Sequence, residues 1–138
     1  IKEAASRMAE AGISGVPVVD EDGKLVGMLS ESDIVGAVKK RTKVLKMVYP
    51  SLSMVSVSFV EDEERTEISK AMCEVAEMKV QEVMHQKVIT VKSGDDLSVA
   101  VILMNDHNVN RLPVVGEGGM VGILSRGDIV KGIFKGCD

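Results

Sequence analysis

The chain has few aromatic residues and no long apolar run, and each shortage excludes a class of protein or of site. Of its 138 residues none is tryptophan, one is tyrosine and two are phenylalanine. A base-like ligand would therefore be held between aliphatic side chains rather than stacked on rings. No apolar run approaches the roughly eighteen residues that a membrane-spanning helix needs, and the first residues lack the basic region followed by an apolar one that is typical of a signal peptide. We expect a soluble, cytoplasmic protein without a membrane partner.

Reactive and metal-binding side chains are also scarce. Cys73 and Cys137 form no CxxC pair, and His85 and His107 have no companion at metal-ligand spacing, so we expect free thiols and no metal site. The sequence shows no nucleophile with a nearby histidine and no glycine-rich phosphate loop, which argues against an enzyme. A net charge of -4 argues against a nucleic-acid surface. The basic cluster at 39–43 favours a helix C-terminus over a nucleic-acid patch.

What the sequence does contain is a repeat. The stretch from Gly15 to Val35, GVPVVDEDGKLVGMLSESDIV, returns from Arg111 to Val130 as RLPVVGEGGMVGILSRGDIV. The offset is 96 residues before the turn and 95 after it, because one residue is deleted in the turn. In each copy an apolar helical stripe is followed by two short apolar runs around a turn, and then by an aspartate that opens an apolar helix. Each copy predicts the order helix, strand, turn, strand, helix.

The two copies differ at their beginnings. The second copy has an extra leading strand, predicted over Val88–Val91, and residues 93–96 prepare the start of its helix. The first copy begins inside its helix, so we expect it to lack the leading strand. The predicted buried faces of the two helices are Ile1, Ala4, Ala5, Met8 and Leu97, Ala100, Val101, Met104. The sequence predicts an α/β fold of two pseudo-symmetric repeats, each a small sheet with flanking helices, packed sheet to sheet.

Between the copies lies an insert, 42–79, that is longer than a connection requires. Serine alternates with apolar residues over 53–60, which predicts a strand with one solvated face. A helix is predicted to follow, from the spacing of Ile68, Met72, Val75 and Met78. The sequence assigns this insert no function.

The doubled pattern, with VQEVMHQKVITVKSGDDLSVA ahead of its second copy, resembles a tandem pair of cystathionine-β-synthase-type (CBS) domains, called a Bateman module. The resemblance implies a regulatory module, without catalysis of its own, that binds AMP, ADP, ATP or an S-adenosylmethionine derivative in clefts between its repeats. It also implies a homodimer and a fused or separate effector protein. The chain then divides into a first repeat without its leading strand, 1–41, an insert, 42–79, and a second repeat, 80–138.

The resemblance further implies that the aspartate opening the last helix of each repeat binds the ribose hydroxyls, helped by the serine three positions earlier. These pairs are Ser30 with Asp33 and Ser125 with Asp128. A carboxylate can accept hydrogen bonds from both hydroxyls of a cis-diol. An aspartate before an apolar helix can also be a simple N-terminal cap. The doubled spacing within a repeat favours the ligand role.

We expect two unequal clefts, in each of which the ribose aspartate comes from one repeat and the adenine wall from the other. The main cleft comprises Ser30, Asp33, Met84, Val88, Ile89, Thr90, Val109, Asn110, Arg111 and Leu112. The second cleft, with the less complete adenine wall, comprises Ile13, Ser14, Gly15, Val16, Ser125 and Asp128. For Ile13 and Val109 a place in the core is an equal alternative.

The two copies also differ in the charge available to a phosphate. Arg111 offers a guanidinium with paired donors, whereas its counterpart Gly15 offers none. Arg126, whose counterpart is Glu31, and Lys131 are equally well explained as solvated surface. An alternative to the ligand-binding hypothesis is a structural dimerisation module with vestigial clefts.

Overall fold

The computed structural model of the chain describes residues 1–42 and 57–136. In chain order its elements are α1 (Lys2–Glu10), β1 (Gly15–Val19), β2 (Leu25–Ser30), α2 (Glu31–Arg41), α3 (Val57–Ala76), a 3₁₀ turn (Val80–Glu82), β3 (Val91–Lys92), α4 (Leu97–Asp106), β4 (Arg111–Gly116), β5 (Gly119–Ser125) and α5 (Arg126–Gly136). Strands β1 and β2 form one small sheet, and β3, β4 and β5 form another in that order. The predicted α/β class, with a small sheet and flanking helices in each repeat, is confirmed. No helix in these two described ranges is long and apolar enough to cross a membrane.

Contacts divide the chain into two compact units whose boundaries do not follow the repeats. The first unit comprises Ile1–Val16 and Leu29–Met84, and the second comprises Pro17–Met28 and His85–Asp138. Most of the first hairpin is thus grouped with the second repeat. Within the second unit, the backbones of Met28 and His85 exchange two hydrogen bonds of 3.0 Å. The division of the sequence at 41 and 79 stays a prediction.

The core of the first unit includes one residue of the predicted α1 face and two residues of α3. Met8 is buried, whereas the other members of that face are half-buried. The helix predicted after the alternating segment is confirmed as α3. Of the predicted stripe, Val75 is buried and Met78 is half-buried, whereas Ile68 and Met72 are exposed. Among the side chains of α3 that the structure describes, from residue 65 onward, Ala71 is buried together with Val75. A small residue such as alanine lets the backbones of packed helices approach closely, which the apolar pattern alone does not reveal.

The strand predicted for 53–60 is wrong where the structure describes it. Residues 57–60 are the beginning of α3, and 53–56 lie outside the described residues. Helix propagation adds one backbone hydrogen bond for each residue fixed, so a 20-residue helix can extend through a short alternating segment. The alternating pattern covers too few residues to outweigh these added hydrogen bonds.

The core of the second unit lies between α4, α5 and the three-stranded sheet. Its buried members are Val91, Ala100, Met104, Leu112 and Ile129. Strand β4 pairs in parallel with β3 and antiparallel with β5. Of the predicted α4 face, Ala100 and Met104 are buried as expected, but Leu97 and Val101 remain 46% and 45% exposed. The small sheet covers only a narrow stripe of this apolar helix, which leaves an apolar surface.

The predicted leading strand Val88–Val91 is shorter and later than expected, because only Val91 and Lys92 form β3. The segment before β3 changes partner along its length. His85 pairs with Met28 of β2, whereas Val91 pairs with Val114 of β4. A chain that leaves one strand to join another cannot keep a continuous ladder with either, so regular pairing begins only at Val91.

The repeat extends to the hydrogen bonds that end the first helix of each copy. The amide of Ile13 donates to the carbonyl of Met8, and that of Val109 donates to Met104, both at 3.0 Å. The residue before each amide has a positive φ, +62° at Gly12 and +50° at Asn108. Glycine and asparagine are the residues that most readily end a helix in this way. Both helices therefore enter the following strand with the same geometry.

Candidate ligand-binding site

The first serine–aspartate pair caps α2. The backbone amide of Ser30 and its hydroxyl donate to Oδ2 of Asp33, at 2.8 and 2.6 Å. In return the amide of Asp33 donates to the Ser30 hydroxyl oxygen at 3.3 Å. This reciprocal arrangement is a capping box, which satisfies amides at the helix start that have no partner within the helix. Both residues are half-buried.

The second pair repeats this geometry at the start of α5. The amide and hydroxyl of Ser125 donate to Oδ2 of Asp128 at 2.9 and 2.6 Å, and the amide of Asp128 donates back at 3.2 Å. Unlike Asp33, Asp128 is exposed. The hydrogen bonds from the Ser125 hydroxyl and amide hold the pKa of Asp128 below its usual value, and the nearby charge of Lys131 adds a smaller effect in the same direction.

The capping interpretation of the two aspartates therefore holds in the structure, and it leaves room for a ligand. In the second pair the hydrogen bonds with Ser125 reach the carboxylate through Oδ2 alone, and within the described part of the chain no donor reaches Oδ1 of Asp128. A carboxylate has about four lone-pair directions on its two oxygens. The cap thus fixes the orientation of the carboxylate while leaving one oxygen able to accept hydrogen bonds from a diol.

Each pair lies beside a peptide segment of its own repeat. In the first unit the amide of Glu31 donates to the carbonyl of Ser14 at 3.2 Å. In the second unit the amide of Arg126 donates to the carbonyl of Asn110 at 3.0 Å. Gly15, which follows Ser14, is buried. The structure thus brings the segment 13–16 to the first pair and the segment 109–112 to the second.

Arg111 lies on β4 directly opposite Ser125 of β5, so this half-buried arginine is paired with the residue that caps α5. The predicted main cleft instead groups Arg111 with Asp33, which belongs to the other unit. The second predicted cleft likewise groups Asp128 with 13–16 across the two units. Both of these groupings stay predictions.

Met84 is connected to the first pair through a backbone bridge between β2 and the segment that follows the 3₁₀ turn. It precedes His85, whose backbone pairs with Met28, and Met28 stands two residues before Ser30 in β2. Met84, Val88, Ile89 and Thr90 are half-buried, as a ligand wall requires, although Ile89 also packs against the second core. Of the predicted wall residues, Met84 belongs to the same unit as Ser30 and Asp33.

Several other wall residues have a structural role. Leu112 is 0% exposed within the second core, so only its backbone could reach a ligand. Val109 packs against the same core, which agrees with the alternative kept open for it, whereas Ile13 is 44% exposed. Asn110 is exposed, and Val16 and Ser14 are half-buried.

Two features of the site were not predicted from the sequence. One is the hydrogen bond between the first residue of the last helix and the peptide segment before the hairpin, which has no signature in residue type because it joins two backbone groups. The other is the pair of helix ends at Gly12 and Asn108. Glycine and asparagine directly after an apolar stripe were an available signal for these. Among residues 1–42 and 57–136, no cluster of three histidine, cysteine or acidic side chains could hold a metal ion.

Comparison with known proteins identifies relatives over most of the chain. The profile of the CBS domain matches residues 1–40 and 80–135. An uncharacterized protein of Methanocaldococcus jannaschii, MJ1426, is 37% identical over 124 residues, which are 88% of this chain and 74% of that protein. A second uncharacterized protein of the same organism, MJ1404, is 29% identical over 134 residues, and the chain spans only 24% of its length.

The fold also matches a solved structure that contains adenosyl compounds. The CBS domain pair of protein MJ0100, crystallised with 5-methylthioadenosine and S-adenosyl-L-methionine, superposes with a TM-score of 0.62 at 26% sequence identity. The match covers 99% of this chain and 82% of that one.

Proposed function

The chain belongs to the CBS domain family, and from that premise we propose that it is a regulatory module that binds an adenosine-containing small molecule and transmits binding to a fused or separate effector. The observation that carries the proposal is the pair of oriented carboxylates. Both Asp33 and Asp128 are fixed by a serine hydroxyl at 2.6 Å, at the same position of two repeats. The similarity to a CBS domain pair that holds adenosyl compounds supports this class of ligand.

In the proposed main site, Asp33 and Ser30 bind the ribose, and Arg111 binds a phosphate if the ligand carries one. The carboxylate accepts from both sugar hydroxyls, which forms charge-assisted hydrogen bonds. Aliphatic side chains and backbone groups of 84–90 and 109–112 hold the adenine. Asp128 and Ser125 form the second and weaker site, with residues 13–16.

The module is further proposed to act as a homodimer, without catalysis of its own and in the cytoplasm. Apolar side chains of its helices remain exposed, among them Val35, Ile102 and Ile133 at 66%, 57% and 57%. Exposed apolar side chains on helices often belong to a protein–protein interface. No nucleic-acid partner is proposed for a chain with a net charge of -4.

A second candidate function is a structural dimerisation module whose clefts bind nothing. It is favoured by one observation: the capping boxes already give each aspartate a structural role without a ligand. Substituting the aspartates would then lower stability and nothing else.

Calorimetric titration of the purified chain with AMP, ATP, 5-methylthioadenosine and S-adenosylmethionine separates the two candidates. We expect at least one of them to bind, and its 2′-deoxy form to bind more weakly by about 1–3 kcal/mol, because a carboxylate oxygen loses its donor. Deoxyribose ligands that bind as tightly as ribose ligands would contradict the role of the aspartates. Absence of heat with all four ligands, checked by thermal-shift measurements, would favour the structural module.

A further inference from the structure

An open apolar groove lies between α1 and α2 in the first unit. Its volume is about 420 Å³, and it is lined by Ala5, Met8, Ala9, Glu31, Ile34 and Val35. Glu31 is the charged residue among these six. Two alanines on one helix face make the surface concave, because they leave space that a larger side chain would fill.

The equivalent surface of the second unit, formed by α4 and α5, carries larger side chains. At the repeat offset, Ala5 corresponds to Val101 and Ala9 to Asn105, while Val35 corresponds to another valine, Val130. Val101 and Val130 are 45% and 51% exposed. We call this surface, Val101, Asn105, Arg126, Val130 and Ile133, the second-unit ridge.

The two surfaces also carry opposite charges at one equivalent position. Glu31 is the first residue of α2 and Arg126 the first residue of α5. Both are exposed, and the backbone amide of each makes the same hydrogen bond to a carbonyl of its own repeat. The repeat therefore places a carboxylate and a guanidinium in the same local geometry.

We propose that the first-unit groove of one copy binds the second-unit ridge of another copy, with Glu31 facing the partner's Arg126. This proposal rests on the proposed homodimer and adds its orientation. Valine side chains of the ridge fill the space left by the alanines of the groove, and the opposite charges meet at the rim. A two-fold dimer forms this contact twice.

The opposite orientation, with like units in contact, is disfavoured by the same residues. A contact between two first units would bring two Glu31 carboxylates together, and one between two second units would bring two Arg126 side chains together. Like charges placed opposite each other at an interface suppress that pairing. Two grooves in contact would also leave the space beside their alanines empty.

The test exchanges the two charges and measures dimer dissociation by analytical ultracentrifugation. In the proposed orientation, Glu31→Arg and Arg126→Glu each replace two attractive pairs by two repulsive ones. We expect each single variant to weaken the dimer by about tenfold. The double variant carrying both changes restores two attractive pairs and should dimerise like the unsubstituted chain.

The helix dipole allows a loss of helix stability to be distinguished from a loss of the contact between copies. A glutamate at the start of α5 is favourable to that helix, so weaker dimers in Arg126→Glu cannot come from helix destabilisation. Glu21→Arg and Lys24→Glu change the charge equally in the exposed turn between β1 and β2, and should leave the dimer unchanged.

Each outcome either supports or overturns the proposal. If the dimer persists and neither single variant weakens it, the orientation is wrong while the dimer stands. If the unsubstituted chain is monomeric at about 100 µM, well above typical dimer dissociation constants, both the dimer and its orientation are wrong. Calorimetric ligand binding is read out separately, so failure of the dimer does not count against the ligand site.

A chemical cross-link gives a second readout in chains whose Cys73 and Cys137 are replaced by serine. Glu31→Cys and Arg126→Cys proteins are treated with a short bis-maleimide, separately and mixed. We expect covalent dimers in the mixture and few in either protein alone. Efficient linkage of Glu31→Cys to itself would show that like units meet and would overturn the orientation.

Discussion

The two repeats share a backbone framework but differ in the side chains attached to it. Their helices end with the same hydrogen bond, at Ile13 and at Val109, and their last helices begin with the same capping box. Asp33, however, is half-buried and Asp128 is exposed. The framework is set by backbone groups that must be satisfied in any such fold, and it leaves the attached side chains able to diverge.

That divergence concerns charge in particular. Where the second repeat has Arg111 and Arg126, the first has Gly15 and Glu31. A ligand phosphate and a neighbouring copy would each distinguish between the repeats through these positions. One duplicated framework can therefore supply two different surfaces without any change in fold.

The largest effect should come from the cores. Leu29 in the first unit and Leu112 in the second are each 0% exposed. Leu29→Ala or Leu112→Ala should lower the free energy of unfolding by about 2–5 kcal/mol, since each leaves a cavity. Urea denaturation monitored by circular dichroism measures this loss.

A matched control and the comparison of the two variants sharpen the result. Val121→Ala, at a position 62% exposed, should change stability by no more than about 0.5 kcal/mol. Similar losses at both leucines would show that the two units contribute equally. A lower free energy of unfolding in only one of the two leucine variants would show that the two cores contribute unequally to stability.

Next in size is the difference between the two aspartates in ligand binding. Asp33→Ala should weaken binding at the main site by about 1–3 kcal/mol, because the ribose hydroxyls lose their acceptor. Asp128→Ala should have a much smaller effect, and calorimetry should show one main site per chain. Arg111→Ala should weaken a phosphate-bearing ligand more than one without phosphate.

Asp96→Ala is the control for loss of a helix cap. Asp96 caps α4 by accepting from the amide of Ser98 at 2.9 Å and lies outside both predicted clefts. Its substitution should lower the free energy of unfolding without weakening ligand binding. The opposite result is that ligand binding is weakened more by Asp128→Ala, with an effect that is not additive with that of Arg111→Ala in a double-mutant cycle. That result would mean that the ligand binds to residues of the second unit alone, which contains both Asp128 and Arg111.

The sequence predicted the elements whose signals are repeated or reinforced, and it was wrong where the signal was short. The repeat and the apolar patterns predicted both hairpins and a helix starting after residues 93–96, which is α4 with Asp96 as its cap. The strand over 53–60 was wrong where described, because a long helix extends through it. The leading strand is shorter than predicted because the segment before it pairs with β2 at His85 and joins β4 only at Val91.

The site was predicted as a set of residues but not as an arrangement. The Ser-x-x-Asp spacing singled out both pairs, for which a ligand role was favoured and a helix cap was the alternative, and in the structure both pairs form capping boxes. The hydrogen bonds from Glu31 to Ser14 and from Arg126 to Asn110 join backbone groups distant in sequence, and no side-chain type indicates them. Burial was equally hidden: Leu112 and Val109 fit the pattern of a ligand wall and of a core alike.

The smallest predicted effect is a titration that tests the capping box of the second repeat. The hydrogen bonds from the Ser125 hydroxyl and amide lower the pKa of Asp128 in the folded chain. A lowered folded pKa contributes stability that is present above the unfolded pKa and is lost as the pH falls through the folded pKa. In Ser125→Ala the hydroxyl is gone but the backbone amide remains, so the pKa of Asp128 should rise part of the way toward its usual value.

Carbon-detected NMR of the side-chain carboxyl measures the shift directly. Asp96, whose pKa is lowered by its own hydrogen bonds with Ser98, is the internal reference and should keep its titration midpoint. An unchanged midpoint for Asp128 would mean that the Ser125 hydroxyl does not orient this carboxylate. The two repeats would then share their backbone hydrogen bonds but not the contact between the serine and aspartate side chains.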